Sequence, residues 1–280
     1  MSKFLVKLTP ARTAITHARA SNEQFKPTTR PVALFLGGTS GIGQAMAEQL
    51  ARQTNGRAQI VLLGRNQEAA DRIIATFPRT PDGTSPGGES KYSFVKVDAT
   101  SMAQIRSAAA KLSTELDKIN FIVVTAGYST LKGRDETPEG IDRKMACNFY
   151  ARFRFIHDLV PLVHKAAERG EQTGVMSVFD AGSGSAIDLD DLGLTKGFTL
   201  RKAHDHVVTY KDAVFEVRHI PIYLTLPNAA YPSSAPGIRI SLSEGLFQPC
   251  VSGYGHHTGH HQGHRCPTYC SPAQSNHRFG

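Results

Sequence analysis

No stretch of this 280-residue chain approaches the ~18–20 consecutive apolar residues that a spanning helix needs, so no membrane-spanning role is expected. Cysteine is scarce. The four present are Cys147, Cys250, Cys266 and Cys270, and three of them fall in the last 31 residues. They cannot form a disulfide framework for the body, which points to a reducing compartment and a cytoplasmic protein. Acids are absent from the first 22 residues, which carry Lys3, Lys7, Arg12 and Arg19. That composition is read as a solvated basic arm, with a mitochondrial leader as the minor alternative. The formal net charge of +8 invites a nucleic-acid role, but it sits at the ends: residues 1–30 carry +5 and 219–280 carry +2, leaving +1 on 31–218. A nearly neutral body has no basic groove for DNA or RNA.

What is present is an alternation of two periodicities from residue 31 onward. Val32–Leu36, Gln59–Leu63, Phe94–Val97, Phe121–Thr125 and Val175–Phe179 are short apolar runs of the kind that buried parallel strands show. Ile42–Arg52, Gln67–Phe77, Ser101–Leu116, Gly140–Leu162 and Arg201–Arg218 carry helical spacing between and after them. This alternation predicts an α/β fold, a Rossmann-type doubly wound parallel sheet, with an irregular or disordered C-terminal end. Past residue 218 the pattern weakens, although 237–242 alternates like a sixth strand. From Gly253 the chain is punctuated by glycine and rich in histidine. His256, His257, His260, His261, His264, Cys266 and Cys270 are potential ligands, but their spacing is not that of a zinc finger. The tail reads as low-complexity and no metal is expected. The expected organisation is therefore a basic arm (1–30), a doubly wound α/β domain (31–218) and a divergent His/Gly-rich tail (219–280).

The first strand runs into Gly37-Gly38-Thr39-Ser40-Gly41-Ile42-Gly43, and a helix follows. That setting distinguishes a dinucleotide fingerprint from a chance glycine cluster. Gly37 permits the tight turn, Gly41 lets backbone approach a pyrophosphate, and Gly43 lets the helix pack on the sheet. The helix N-terminus offers unpaired N–H groups to the phosphates, and Thr39, Ser40 and Ile42 complete the turn. The second strand ends at Leu63-Gly64-Arg65-Asn66, with no carboxylate to accept ribose hydroxyls. Arg65 offers a guanidinium to a 2′-phosphate instead, so the expected cofactor is NADP(H) rather than NAD(H). A solvated surface arginine is the plain alternative.

Over about residues 31–218 these features resemble the short-chain dehydrogenase/reductase family. Gly37-x-x-x-Gly41-Ile42-Gly43 is similar to its glycine motif, with Leu36 where a Thr is usual. Val97-Asp98 looks like the strand end whose Asp meets the adenine, and Thr125-Ala126-Gly127 looks like its Asn-Asn-Ala-Gly station with both Asn replaced. Asn148 matches the helix Asn of its catalytic tetrad. The wording of Val32-Ala33-Leu34-Phe35 and Asp190-Asp191-Leu192-Gly193-Leu194 looks most like fungal members, several of which act in secondary metabolism.

The resemblance implies hydride transfer between NADP(H) and a small carbonyl or alcohol substrate. It admits a homo-oligomer paired through the helix faces near 140–162 and 201–218. The family's chemistry needs a Tyr with a Lys four residues later, so that an ammonium lowers the pKa of a phenol on the same helix face. The best match here is Phe198-Thr199-Leu200-Arg201-Lys202-Ala203, which keeps the Lys and loses the phenol. Lys202 is thus expected at both the catalytic and the cofactor site, beside Asn148. Ser177, two residues early, is expected at the Ser station, with Ser183 and Ser185 as alternatives. Tyr210 lies eight residues past Lys202, ~12 Å along a helix, and reads as a packed aromatic. The absent phenol leaves a second reading open, a dinucleotide-binding protein without turnover.

Overall fold

Five consecutive apolar residues make β1 (Val32–Leu36), and all five are buried, because a strand covered on both faces has no position for a polar side chain. The computed structural model describes residues 24–80, 89–180, 183–219 and 239–242, together with Thr16, Arg19 and Ala20. Five further strands are present: β2 (Gln59–Gly64), β3 (Lys91–Lys96), β4 (Phe121–Val124), β5 (Gly174–Ser177) and β6 (Arg239–Leu242). They form one sheet in the order β3-β2-β1-β4-β5-β6, and every pairing is parallel. This is the expected doubly wound arrangement. The strand order reverses between β1 and β4, and in such sheets that switch point opens a crevice at the carboxyl ends.

The crossovers are helical: α1 (Gly41–Gln53), α2 (Gln67–Ala75), α3 (Met102–Glu115), α4 (Arg143–Met145), a π-helical turn over Ala146–Tyr150, α5 (Ala151–Glu168) and α6 (Leu200–His219). Alternate residues of β1 feed two cores. Leu34 and Leu36 join Ile105 and Leu112 of α3 and Phe155 and Leu159 of α5. Ala33 and Phe35 join Ala47 and Ala51 of α1 and Ile73 of α2. Each fully buried Leu, Ile or Phe contributes about 1.5–3 kcal/mol, so these layers fix where the loops between them emerge.

Several elements depart from the expected bounds: the helix expected over 140–162 starts at Arg143 and runs to Glu168, and the strand expected over 175–179 is Gly174–Ser177. β3 begins at Lys91 rather than Phe94. Its residues alternate between exposed and half-buried, so its first half carries too little apolar signal to read as strand. β6 pairs with β5 as the alternation over 237–242 suggested, so the sheet runs past residue 218 into the segment set apart as divergent. The arm over 1–15 and the histidine-rich stretch from Gly253 lie outside the described residues. No helix among the described residues is long and apolar enough to cross a membrane.

Helix starts set up the site. Asn66 caps α2 by accepting from Ala69 N–H at 3.0 Å, and Ser101 caps α3 by accepting from Gln104 N–H at 3.3 Å. Ser40, at the start of α1, makes no side-chain cap. The first turn of α1 is instead pressed against β4. A Cβ on Gly43 would lie 2.4 Å from Thr125 Oγ1 and 2.5 Å from the Gly37 carbonyl oxygen. Gly43→Ala should therefore lower the unfolding free energy by about 1–3 kcal/mol through overpacking. Urea denaturation reads this directly, and an unchanged midpoint would show that the close approach does not matter.

Candidate functional site

A cleft of about 560 Å³ opens where the carboxyl ends of β1, β2, β4 and β5 converge. Its floor is the glycine turn. Gly37 has φ +96° and Gly41 φ +56°, both in the region that side chains rarely adopt. Nothing lies within 4 Å of the Cβ position at Gly41, so this turn is open on its outer side. Gln44 N–H closes the helix on the Ser40 carbonyl at 3.3 Å, and the N–H groups before it receive no cap from Ser40. An uncapped helix start with the positive end of its dipole facing a cleft is an anion-binding arrangement. Gly37, Thr39, Ser40, Gly41 and Ile42 all line the cleft, whereas Gly43 lies beneath it as a packing residue.

At the β2 end the cleft is lined by Arg65 and Asp98. Arg65 is exposed and makes no hydrogen bond or ion pair with the described residues. Asp98 accepts through Oδ1 from Thr100 N–H (2.8 Å) and Thr100 Oγ1 (2.9 Å), which fixes the carboxylate at the strand end. Gly127 lines the cleft on the β4 side.

The β4–β5 end is built differently. Asn148 sits within the π turn, is buried, and clamps the loop after β4: its Oδ1 accepts from Tyr128 N–H at 2.9 Å and its Nδ2 donates to the Tyr128 carbonyl at 3.0 Å. This holds Tyr128 on the cleft wall. Cys147, also on the wall, is no thiolate, because burial pushes its pKa up to about 11. Arg152 enters the cleft wall from α5 and is 2% exposed. Its Nη1 donates to Ser177 Oγ (2.8 Å) and the Val178 carbonyl (2.8 Å), with a longer bond to the Val124 carbonyl (3.3 Å). Nη2 donates to the Ala126 carbonyl at 2.6 Å, while Nε is buried without a partner. Burial lowers its pKa to about 10. Phe179 covers it with its ring centroid 5.1 Å from the guanidinium carbon. Lys211 Nζ lies 3.4 Å from the centroid of the same ring. Lys211 is 7% exposed, and desolvation first and Arg152 second lower its pKa to about 7.

The remaining expected residues lie elsewhere. Ser177 is buried behind Arg152 and does not line the cleft, where Phe179 stands two residues further on. Ser183 is exposed and donates to Asp180 Oδ2 at 2.7 Å, and Ser185 is exposed beside Thr209. Lys202 is exposed and is not among the residues lining the cleft. The reason is that α6 begins only at Leu200. Phe198 thus precedes the helix, and the i, i+4 geometry expected of Phe198 and Lys202 does not form. Phe198 instead lies against Lys144, with Nζ 5.0 Å from its centroid, beside a cluster that includes Met145 and Leu194. Tyr210 is the packed aromatic expected of it, donating to the Leu192 carbonyl at 3.0 Å.

Sequence reasoning missed Arg152 and Lys211, and both left a signal. Arg152 falls on the apolar stripe of α5 that continues through Phe155, Ile156 and Leu159. Lys211 falls four residues after Val207 and four before Phe215, on the buried stripe of α6. A charge on an apolar stripe marks either a structural ion or a functional one.

Comparison with known proteins agrees with this architecture. The family model described as short chain dehydrogenase matches residues 31–179, and the chain belongs to that family. Oxidoreductase AN1596 of Emericella nidulans is 33% identical over 191 residues, covering 68% of this chain and 54% of its own. Oxidoreductase andH of Emericella variicolor is 30% identical over 197 residues, covering 70% and 55%. The chain thus spans about half the length of these fungal relatives. Among solved structures it superposes on a metagenomic short-chain oxidoreductase in complex with NADP at a TM-score of 0.49, with 17% identity over 77% of this chain and 82% of that one.

Lys211 has a consequence for stability. Its folded pKa of about 7 lies below its ordinary 10.5, so between those values the unfolded chain binds the extra proton. The lysine therefore destabilises the fold most below pH 7 and progressively less as pH rises through that window. Lys211→Met should raise the unfolding free energy at pH 7 by about 1–3 kcal/mol. The gain over wild type should shrink between pH 7 and 9 in parallel denaturation curves. A constant gain across that range would mean that Lys211 is not titrating in the fold.

Proposed function

We propose that this chain is an NADP(H)-dependent oxidoreductase of the fungal cytoplasm. It transfers a hydride between the nicotinamide and the carbon of a small apolar carbonyl or alcohol, in the setting of secondary metabolism. The observation that carries this reading is the uncapped start of α1 facing the cleft, flanked by an unpaired Arg65 and no carboxylate at the end of β2. The residues fit such a cofactor. The N–H groups of Gly41 and Ile42, with Thr39 and Ser40, suit a pyrophosphate, and the open space over Gly41 leaves room for it. Arg65 suits a 2′-phosphate, and Asp98 and Gly127 edge the same cleft. When bound, the cofactor supplies the two electrons and the hydrogen that form the new C–H bond, and the carbonyl oxygen takes its proton from solvent. Ile42, 59% exposed, and Phe179 make part of the wall apolar, which supports an apolar substrate. Asn148 is a positioning residue for the loop that carries Tyr128.

Arg65→Ala tests the cofactor assignment. The loss of a charge-assisted grip of about 1.5–3 kcal/mol should weaken NADPH binding roughly 10- to 100-fold and leave NADH unaffected. Equal binding of the two dinucleotides to wild type, unchanged by the substitution, would remove NADP(H) from this reading.

A second reading, cofactor binding without turnover, is favoured by one observation: Lys202 and Phe198 both lie off the cleft wall. Turnover by wild type separates the two, with Phe198→Tyr beside it as a check on the geometry. Because position 198 packs over Lys144, a phenol there should neither create nor raise turnover of a ketone panel with NADPH. Measurable wild-type turnover supports the enzyme, while activity that appears only in Phe198→Tyr would contradict the geometry of this segment.

A further inference from the structure

Arg152 is a buried cation with no anionic partner among the described residues. All its hydrogen-bond acceptors are neutral, three carbonyl oxygens and the Ser177 hydroxyl, and its Nε has none. It makes no ion pair with a carboxylate among the described residues. Lys211, on the same Phe179 ring, has the same sign. Asp212 and Asp180 attract Lys211. A charge in such a setting is weakly screened and acts over several ångströms. The question is what it acts on.

The site's own layout answers this. Arg65 follows β2 and Phe179 follows β5, three strand positions apart in the sheet, or roughly 14 Å at the usual strand spacing. On the reading given above, a dinucleotide with its 2′-phosphate at Arg65 and its pyrophosphate at α1 must carry its nicotinamide over β4 and β5. That is the Arg152 end of the cleft. The ring is neutral when reduced and carries a full positive charge when oxidised. A fixed guanidinium charge nearby leaves the reduced ring almost untouched and repels the oxidised one.

We infer that Arg152 makes this cleft select the reduced dinucleotide over the oxidised one, and so commits the protein to reducing carbonyl compounds rather than oxidising alcohols. Like-charge repulsion also hastens loss of the oxidised product. Arg152 acts here as a specificity-determining residue through its charge, separately from its role in holding the ends of β4 and β5.

The experiment is calorimetric titration of the full chain at pH 6.5 with NADPH and, separately, with NADP⁺. Wild type should bind NADPH at least about tenfold more tightly, 1.4 kcal/mol. Arg152→Gln should bring the ratio close to one. A folded Arg152→Gln that keeps the wild-type ratio overturns the inference, as does a wild-type ratio near one. If Arg152→Gln does not fold, Ser177→Asp decides, because it sets a carboxylate against Arg152 Nη1 and neutralises the charge in place. The ratio should fall severalfold there, and a folded Ser177→Asp that keeps the wild-type ratio overturns the inference. Failure of wild type to bind either dinucleotide would instead overturn the cofactor reading on which the inference rests.

Discussion

A guanidinium taken out of water between the ends of β4 and β5 is the constraint around which the inner half of the cleft is arranged. Removing such an ion from solvent costs several kcal/mol even after relaxation. Arg152 offsets this with four hydrogen bonds, each worth about 1.5–3 kcal/mol when the donor is charged. Two of the acceptors lie beyond the paired residues of the sheet. Ala126 and Val178 lie just past the strand ends, so the arginine takes up carbonyls that the ladder leaves over. In doing so it ties the loop after β4 to the loop after β5. Asn148 fastens the first of these loops a second time, through the backbone of Tyr128.

The π turn explains how one helix supplies both groups. In a regular α-helix, residues five apart point about 140° away from each other at 100° per residue. Over Ala146–Tyr150 the bonding runs from i to i+5, which brings residues five apart onto nearly the same side. Cys147 and Arg152 therefore both reach the cleft wall, while Asn148 turns toward the loop. The extra residue has no compositional signature, and the sequence reading accordingly treats 140–162 as plain helix. Much of the fold is nonetheless legible. The five apolar runs and the glycine turn are encoded locally, in residues a few positions apart, and the sheet uses them as written. What the reading misses is non-local. Lys202 is matched by spacing to a motif, but whether four residues make one helix face depends on where the helix begins, and α6 begins after Phe198. Ser177 is matched by its place on a strand, but Arg152, arriving from another element, covers it.

The two halves of the cleft differ in what they are made from. The β1–β2 half relies on backbone: positive-φ glycines, an uncapped helix start and a close helix–sheet approach. Such a site depends little on the identity of the side chains around it. The β4–β5 half relies on side chains. Phe179 lines the wall near the expected Ser, and Phe198 has left the wall altogether. The backbone-built half and the side-chain-built half are thus physically separable in this fold.

The β4–β5 half is also charged. Two cations share one aromatic ring, Arg152 on its cleft side and Lys211 nearby, and the ring's negative face draws both toward it. Burial opposes both charges, but the two side chains cannot respond alike. A guanidinium starts from so high a pKa that even deep burial brings it only to about 10, still charged at neutral pH. An ammonium starts lower, and the same burial plus the neighbouring arginine brings it to about 7. The lysine therefore yields and the arginine does not. The inner end of the cleft holds one fixed positive charge and one adjustable one. Whatever is bound there meets that field as well as the Tyr128 side chain on the wall, so the charge of the occupant enters into its selection.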